Sequence, residues 1–317
     1  MDLTRRSVIL GSLALTVTPT LAKANPGILG GRAFGSTWRL VAGTANTATI
    51  LPPITRVIDA IDVMMSPYRT ASHLSRFNRA DVSQVVVIPD MMARVVDAAL
   101  ATGRATDGHF DPTTGPITHR FGFGPIVGQP GGADQITLDG TALHKSAPGV
   151  TLDLCGLAKG FALDCLIDEL VAQGGTDFLL ELGGELRAVG RHPSGRPWTV
   201  AIEDPVSPEF AVRHIVAPGD LALATSGHRH NGLMGDVALS HVIDPVNNRP
   251  ATGYAASVSV LAETGMEADA LATALLAMGR EGPAFARAHN ISGLFIIGPH
   301  DTGASIPTGQ FASHLVV

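Results

Sequence analysis

Two hydrophobic periods run through the chain. Residues 36–41, STWRLV, alternate apolar and polar as a half-buried strand does. Beyond Pro52 and Pro53, the positions Ile54, Val57, Ile58, Ile61, Val63 and Met64 recur at helical spacing, and Ser66-Pro67 marks the stop. Met91, Val95, Val96, Ala98 and Leu100 predict a second helix over 90–102, followed by the loop GHFDPTTGP. Strand patterns follow at 135–138 and 149–154, then a helix at 158–172 and a strand at 178–182 that ends in Gly183-Gly184. Another strand, 198–203, stops at Asp204-Pro205. The last third predicts strands at 221–225, around 241–243, at 256–262 and at 293–297, with a helix at 268–278. Strands and helices alternate without a regular βαβ rhythm, so the expectation is an α+β fold of mixed sheets with packed helices.

Composition supplies ample material for a large core, and the length allows one large or two intimate domains. The 317 residues are 45% hydrophobic and 16% charged, which excludes a disordered chain. A net charge of −6 argues against a nucleic-acid partner, since no basic surface is built to neutralise phosphates. The first 24 residues read as a removable export signal. Arg5-Arg6 precedes the apolar run VILGSLALTV, too short for the ~20 residues of a membrane span, and Ala22-Lys23-Ala24 fits a cleavage site. The paired arginines point to the twin-arginine route and a periplasmic destination. Residues 25–317 then form one domain. In an oxidising compartment Cys155 and Cys165 invite a disulfide, but a mostly helical segment separates them by about 15 Å, so both read as small core residues.

Several polar clusters lie at the predicted element ends. Asp153 to Gly160, DLCGLAKG, is a strand end, a glycine turn and a helix start. Free N–H groups and Lys159 there suit an anion, although Gly156 and Gly160 could equally serve tight helix packing. Asp269 and Thr273 stand at i and i+4 on one helical face, two hard oxygens suited to Mg²⁺, with a cap and a polar stripe as the plainer reading. His241 and Asp244 flank a short strand, a pairing suited to proton transfer. His228 and His230 could hold a transition metal, but no further ligand completes that set.

In this order the segments resemble the ApbE family of FAD:protein FMN transferases. The resemblance rests on FGSTW (34–38), MMSPYRTASHLSRFNRA (64–80), TDGHFDPTTGPI (106–117), LDLCGLAKGFALD (152–164), LELGGELRAVG (180–190), GRPWTVAIEDP (195–205), LALATSG (221–227), SHVIDPVNNRP (240–250) and MEADALATALLAMG (266–279). It implies an ApbE-like, T-fold-related architecture and Mg²⁺-dependent transfer of the FMN half of FAD to a Ser or Thr of a partner flavoprotein, with AMP released. By this resemblance Ala158, Asp269 and Thr273 would hold the metal, Lys159 would face the phosphates, His241 would be the base and Asp244 its orienter. Tyr68, Asp111, Thr113, Glu181, Gly183, Gly184, Thr225, Ser226 and Gly227 would line the flavin nucleotide pocket. The acceptor would carry a Ser/Thr-Gly-Ala-Thr tract. Residues 230–241, HNGLMGDVALSH, resemble the exported branch that matures the membrane flavoprotein of nitrous oxide respiration, so any membrane contact would come through that partner.

The chain departs from the family pattern at Cys155, where glycine is usual, at His73, at Glu185 after the double glycine, and at Phe34 with Ser36 in the first segment. Three other functions share its features: a periplasmic FAD carrier without transfer, an FAD diphosphatase in which water replaces the hydroxyl, and metal trafficking through His228 and His230.

Overall fold

The computed structural model describes residues 27–43, 47–207, 209–229, 240–251, 253–298 and 303–316. The expected export signal, His230 and most of the 230–241 segment lie outside them. The elements in chain order are β1 (Gly27–Ala33), β2 (Ser36–Ala42), α1 (Thr47–Met65), α2 (His73–Arg79), β3 (Val86–Val87), α3 (Asp90–Ala105), α4 (Gly115–Arg120), β4 (Ile136–Asp139), β5 (Ala142–Lys145), α5 (Ala158–Ala172), β6 (Phe178–Leu182) and β7 (Glu185–Val189). There follow β8 (Val200–Glu203), β9 (Val212–Val216), β10 (Ala222–Gly227), β11 (Ile243–Asp244), β12 (Arg249–Pro250), β13 (Ala255–Ala262), α6 (Gly265–Ala277), α7 (Gly282–Ala288), β14 (Ser292–Ile297) and β15 (Ser305–Pro307).

An eight-stranded sheet in the order β1-β2-β6-β7-β10-β13-β14-β15 forms the middle layer, and every described pair in it is antiparallel. The α+β class expected from the sequence is the class observed. Side-chain alternation divides the two faces. Phe178, Leu180 and Leu182 of β6 point into a core shared with α1, α3 and α5. Leu179 points the other way, against Trp198, Val200, Val216 and Phe311, so the β8–β9 hairpin and a C-terminal turn cover the second face. Farther along, Val258 and Val260 of β13 pack on Ala268, Ala272 and Leu275 of α6.

Helices α5 and α6 cross at a glycine contact that sets up the site. A methyl group at Gly160 would overlap the Gly265 carbonyl, so only glycine permits this approach. Asp164 of α5 caps α6, its two carboxylate oxygens accepting from Gly265 N (2.7 Å) and Met266 N (2.9 Å). The Thr264 hydroxyl accepts from Glu267 N at 3.1 Å, which satisfies a third first-turn donor.

Three expectations change. Residues 149–154 form no strand. Their backbone is held by side chains instead: the Asn78 amide pairs with both Leu152 N and Leu152 O at 2.8 Å, and buried Lys145 donates to Val150 O at 2.8 Å. Cys155 is exposed, not a core residue, because residue 155 lies in the turn before α5, near Asp153, Lys159 and Asp269. Cys165 is half-buried, and both thiols are free. Finally, α6 begins at Gly265 rather than 268, since its capping groups come from Thr264 and from the distant Asp164. Among the described residues no helix is long and apolar enough to cross a membrane.

Candidate active site

The turn after β6, the end of β10 and the first turns of α5 and α6 converge. Asp269 Oδ2 accepts from Gly160 N at 3.0 Å, tying the acid of α6 to a free donor of α5. Next to Gly160, Lys159 Nζ pairs with Glu185 Oε1 at 2.5 Å and lies 3.5 Å from Gly183 O. Thr273 shares hydroxyl contacts with Ser226 Oγ (3.3 Å) and Gly156 O (3.5 Å). Ala158, Lys159, Asp269, Thr273, Ser226, Gly183 and Gly184 are thus brought together. Ala158 is the first residue of α5.

Charge in this cluster is unbalanced. Glu185 and Asp269 are both buried, and Lys159 is the cation they share. Burial pushes the Glu185 carboxyl up to about 8 despite Lys159, with Asp269 adding to the rise. Burial raises Asp269 as well, against the opposing pull of Lys159 and the Gly160 N–H. Desolvation works to lower Lys159, but Glu185 and Asp269 outweigh it and hold the ammonium above its usual range. Glu185 Oε2 is buried without a hydrogen-bond partner. Carboxylate and hydroxyl oxygens of this kind fit a divalent cation such as Mg²⁺, whose charge would favour the ionised form of both carboxyls. Among the described residues no three His, Cys, Asp or Glu side chains cluster to hold a metal ion by themselves, so hydroxyl, carbonyl or ligand oxygens would have to complete the set.

His241 lies close enough to Lys159 and His228 to feel their charges. Burial, then His228, then Lys159 lower its imidazole to about 4. Its Nδ1 is buried without a partner, and its ring meets Phe123 edge-on at 6.3 Å. The orienting contact expected from Asp244 is not formed. Asp244 Oδ1 accepts from Val246 N at 3.0 Å, Oδ2 accepts from the Asn247 amide, and the ring of His109 stands 3.9 Å away. The tight turn after β11 turns this carboxylate back on itself. His228, read from the sequence as half of a metal pair, bonds through Nδ1 to Ser240 Oγ at 2.8 Å.

The proposed pocket residues divide by accessibility. Tyr68 is 72% exposed and stands near Asp153 and Cys155, a free aromatic face at the rim. Thr113 is buried, and its hydroxyl and N–H both donate to Asp111 Oδ1 at 2.7 Å, which shapes the turn. Asp111 is half-buried, and burial raises its carboxyl. Glu181 is likewise buried and accepts from Gly184 N at 2.9 Å, which fixes the double-glycine turn. Gly183 and Gly184 both have positive φ, as that turn requires. Thr225 bonds to Ser259 Oγ at 2.8 Å, and Gly227 ends β10 beside Ser226. The sequence gives no local signal for Asn78 as the clamp of 149–154 or for Asp164 as the cap of α6. Both act over long chain separations.

The chain is similar to known proteins over most of its length. Residues 34–295 match the model of the ApbE family. An FAD:protein FMN transferase of Vibrio cholerae is 36% identical over 308 residues, covering 90% of this chain and 92% of that one. One from Haemophilus influenzae is 31% identical, covering 86% and 87%. The solved structure of the flavin transferase ApbE from Vibrio cholerae superposes with a TM-score of 0.84 at 34% identity, over 92% of this chain and all of that one. The apo flavinyl transferase ApbE of Pseudomonas stutzeri superposes at 0.81 with 29% identity, over 93% of this chain and 98% of that one. The chain belongs to the ApbE family.

Proposed function

We propose that this chain is a Mg²⁺-dependent FAD:protein FMN transferase that works in the periplasm on a flavoprotein acceptor. The observation that carries the reading is the junction of α5 and α6, where the first turn of α5, Lys159 and the Asp269 carboxylate meet. Such a junction binds a diphosphate and a hard cation together. Asp269, Thr273 and the Ala158 carbonyl are the groups that would hold the ion. Bound there, Mg²⁺ supplies charge neutralisation at the diphosphate oxygens.

The chain's own groups account for the rest. Lys159, kept protonated by its two carboxylate neighbours, binds the phosphate and steadies charge on the departing AMP. His241, with its Nδ1 buried and unpartnered, is the group placed to accept the proton of an acceptor Ser or Thr hydroxyl. The hydroxyl oxygen bonds to the FMN phosphorus, the bond from that phosphorus to the bridging oxygen breaks, and AMP leaves with that oxygen. The acceptor belongs to the class with a Ser/Thr-Gly-Ala-Thr tract, for which the membrane flavoprotein of nitrous oxide respiration is a candidate. Residues 1–24 act as a twin-arginine signal.

Chromatographic assay of AMP from FAD and Mg²⁺, with and without acceptor, tests the assignment. Acceptor-dependent AMP is the expected result. Equal AMP without acceptor would indicate a diphosphatase, and bound FAD without any AMP would indicate a carrier.

A further inference from the structure

One side chain joins the end of β10 to the segment that carries His241. His228 follows β10 directly, and its N–H donates to Ala256 O at 3.1 Å, so the pairing with β13 runs one residue past the strand. Side chains two apart on a strand share a face. Ser226 faces Thr273 of α6, and His228 therefore stands on the side of the sheet where the site is built. Its ring reaches across 12 residues of chain to Ser240, with Nδ1 2.8 Å from the hydroxyl oxygen. Ser240 is buried, and the same oxygen accepts from Val242 N at 3.0 Å. Val242 O in turn accepts from Ala251 N at 2.8 Å. The residues on both sides of His241 are thus pinned, Ser240 to the end of β10 and Val242 to the chain just past β12.

The ring of His241 has no such anchor of its own. Its Nδ1 is without a partner, Phe123 meets it only edge-on at 6.3 Å, and the Asp244 carboxylate is taken by its own turn. His228 lies near enough for its charge to act on that ring. A proton-accepting group works only when held to about 0.5 Å, and hydrogen bonds from a surrounding layer of side chains supply that precision.

We propose that His228 is a positioning residue for the reaction: through the Ser240 hydroxyl it holds residues 240–242 against the end of β10 and so sets where the His241 ring meets the acceptor hydroxyl. The inference rests on the reading of His241 as the base. It gives to His228, across the strand end, the orienting part that Asp244 does not play.

A double-mutant cycle tests the proposal, with steady-state kinetics of the mature protein on FAD, Mg²⁺ and a domain bearing a Ser/Thr-Gly-Ala-Thr tract. His228→Ala should lower kcat about 10-fold, a part of the loss expected for the base itself, with the Kd for FAD held within a few-fold. In a His241→Ala background the same change should cost nothing further, because no base is left to position. His228→Asn, whose amide takes the place of Nδ1 and keeps a hydrogen bond to Ser240, should restore most of kcat and guards against a folding defect. A second measurement needs no turnover: in the FAD-free protein, the NMR signals of the His241 ring should shift or broaden with His228→Ala and return with His228→Asn. Where His241→Ala itself is slow, an unchanged kcat in His228→Ala, an equal loss with and without His241, or no recovery with Asn would each overturn the proposal, as would His241 ring signals that do not move. His241→Ala alone reports on the base: kcat retained there, with ring signals that still respond to His228→Ala, would count against His241 as the base and leave the anchor standing.

Discussion

Asp269 combines two roles that a single substitution separates from folding. Its Oδ2 holds the Gly160 N–H, and its negative charge adds to that of Glu185 in a buried space. Asp269→Ala removes a proposed metal ligand and relieves like-charge repulsion at once. The expected outcome is a loss of Mg²⁺-dependent turnover of about 100-fold or more with a thermal midpoint changed only slightly; turnover retained at saturating Mg²⁺ would contradict the metal assignment. For His241, replacement by Ala should lower kcat about 100-fold, a usual share for general-base catalysis, while the Kd for FAD stays within a few-fold. Its depressed pKa also has a stability consequence. The unfolded chain takes up the His241 proton near 6.5 and the folded one only near 4, so this group's contribution is full above 6.5 and is lost as pH falls through that window. His241→Gln should therefore flatten the acid limb of the stability-versus-pH curve, measured by chemical denaturation between those values. An unchanged limb would mean that the imidazole is not desolvated as described.

The α5–α6 crossing decides whether the site exists at all. Gly160→Ala places a methyl group against the Gly265 carbonyl, and the helices must separate or tilt to admit it. Overpacking of this kind costs about 1–3 kcal/mol, and the same shift pulls Gly160 N from Asp269. Stability and Mg²⁺ affinity should fall together, as measured by denaturation and by metal titration; loss of one alone would separate the crossing from the site. This crossing also shows what the sequence could and could not reveal. The i, i+4 spacing of Asp269 and Thr273, the glycines of 156–160 and the order of the segments were all legible, because each depends on neighbours in the chain. Residues 149–154 look like a strand because Val150, Leu152 and Leu154 are apolar at alternate positions, yet the backbone there pairs with the side chains of Asn78 and Lys145 and with single backbone groups of Gln129 and Pro112. No local pattern encodes a side-chain clamp 74 residues away. Gly27–Ala33 went unrecognised as a strand for a related reason: its three glycines mask the pattern, and pairing with β2 supplies the order. The link from Asp244 to His241, inferred from proximity in sequence, gave way to a turn that occupies the carboxylate.

Across the whole molecule, one antiparallel sheet carries the site at the ends of its central strands β6, β7 and β10 and the two helices that complete it on its face. Ligands that bridge α5, α6 and the β6–β7 turn should therefore stabilise the fold as a unit. FAD with Mg²⁺ at about 100 times Kd should add about 2.7 kcal/mol, more than either ligand alone, and a chelator should remove the metal's share. Additive effects of the two ligands in a thermal-shift assay would place them at independent sites. The departures at Cys155 and Glu185 fall inside this assembly: Glu185 pairs with Lys159, and Cys155, its thiol free, stands in the turn before α5 close to Asp153, Lys159 and Asp269.

The central claim is the transfer of FMN to a protein hydroxyl, and intact-mass spectrometry of the acceptor tests it most directly. The mature protein is incubated with FAD, Mg²⁺ and a domain bearing a Ser/Thr-Gly-Ala-Thr tract. The account predicts one covalent FMN on the tract hydroxyl, absent with Asp269→Ala. An acceptor that stays unmodified, with FAD bound and intact, would contradict it.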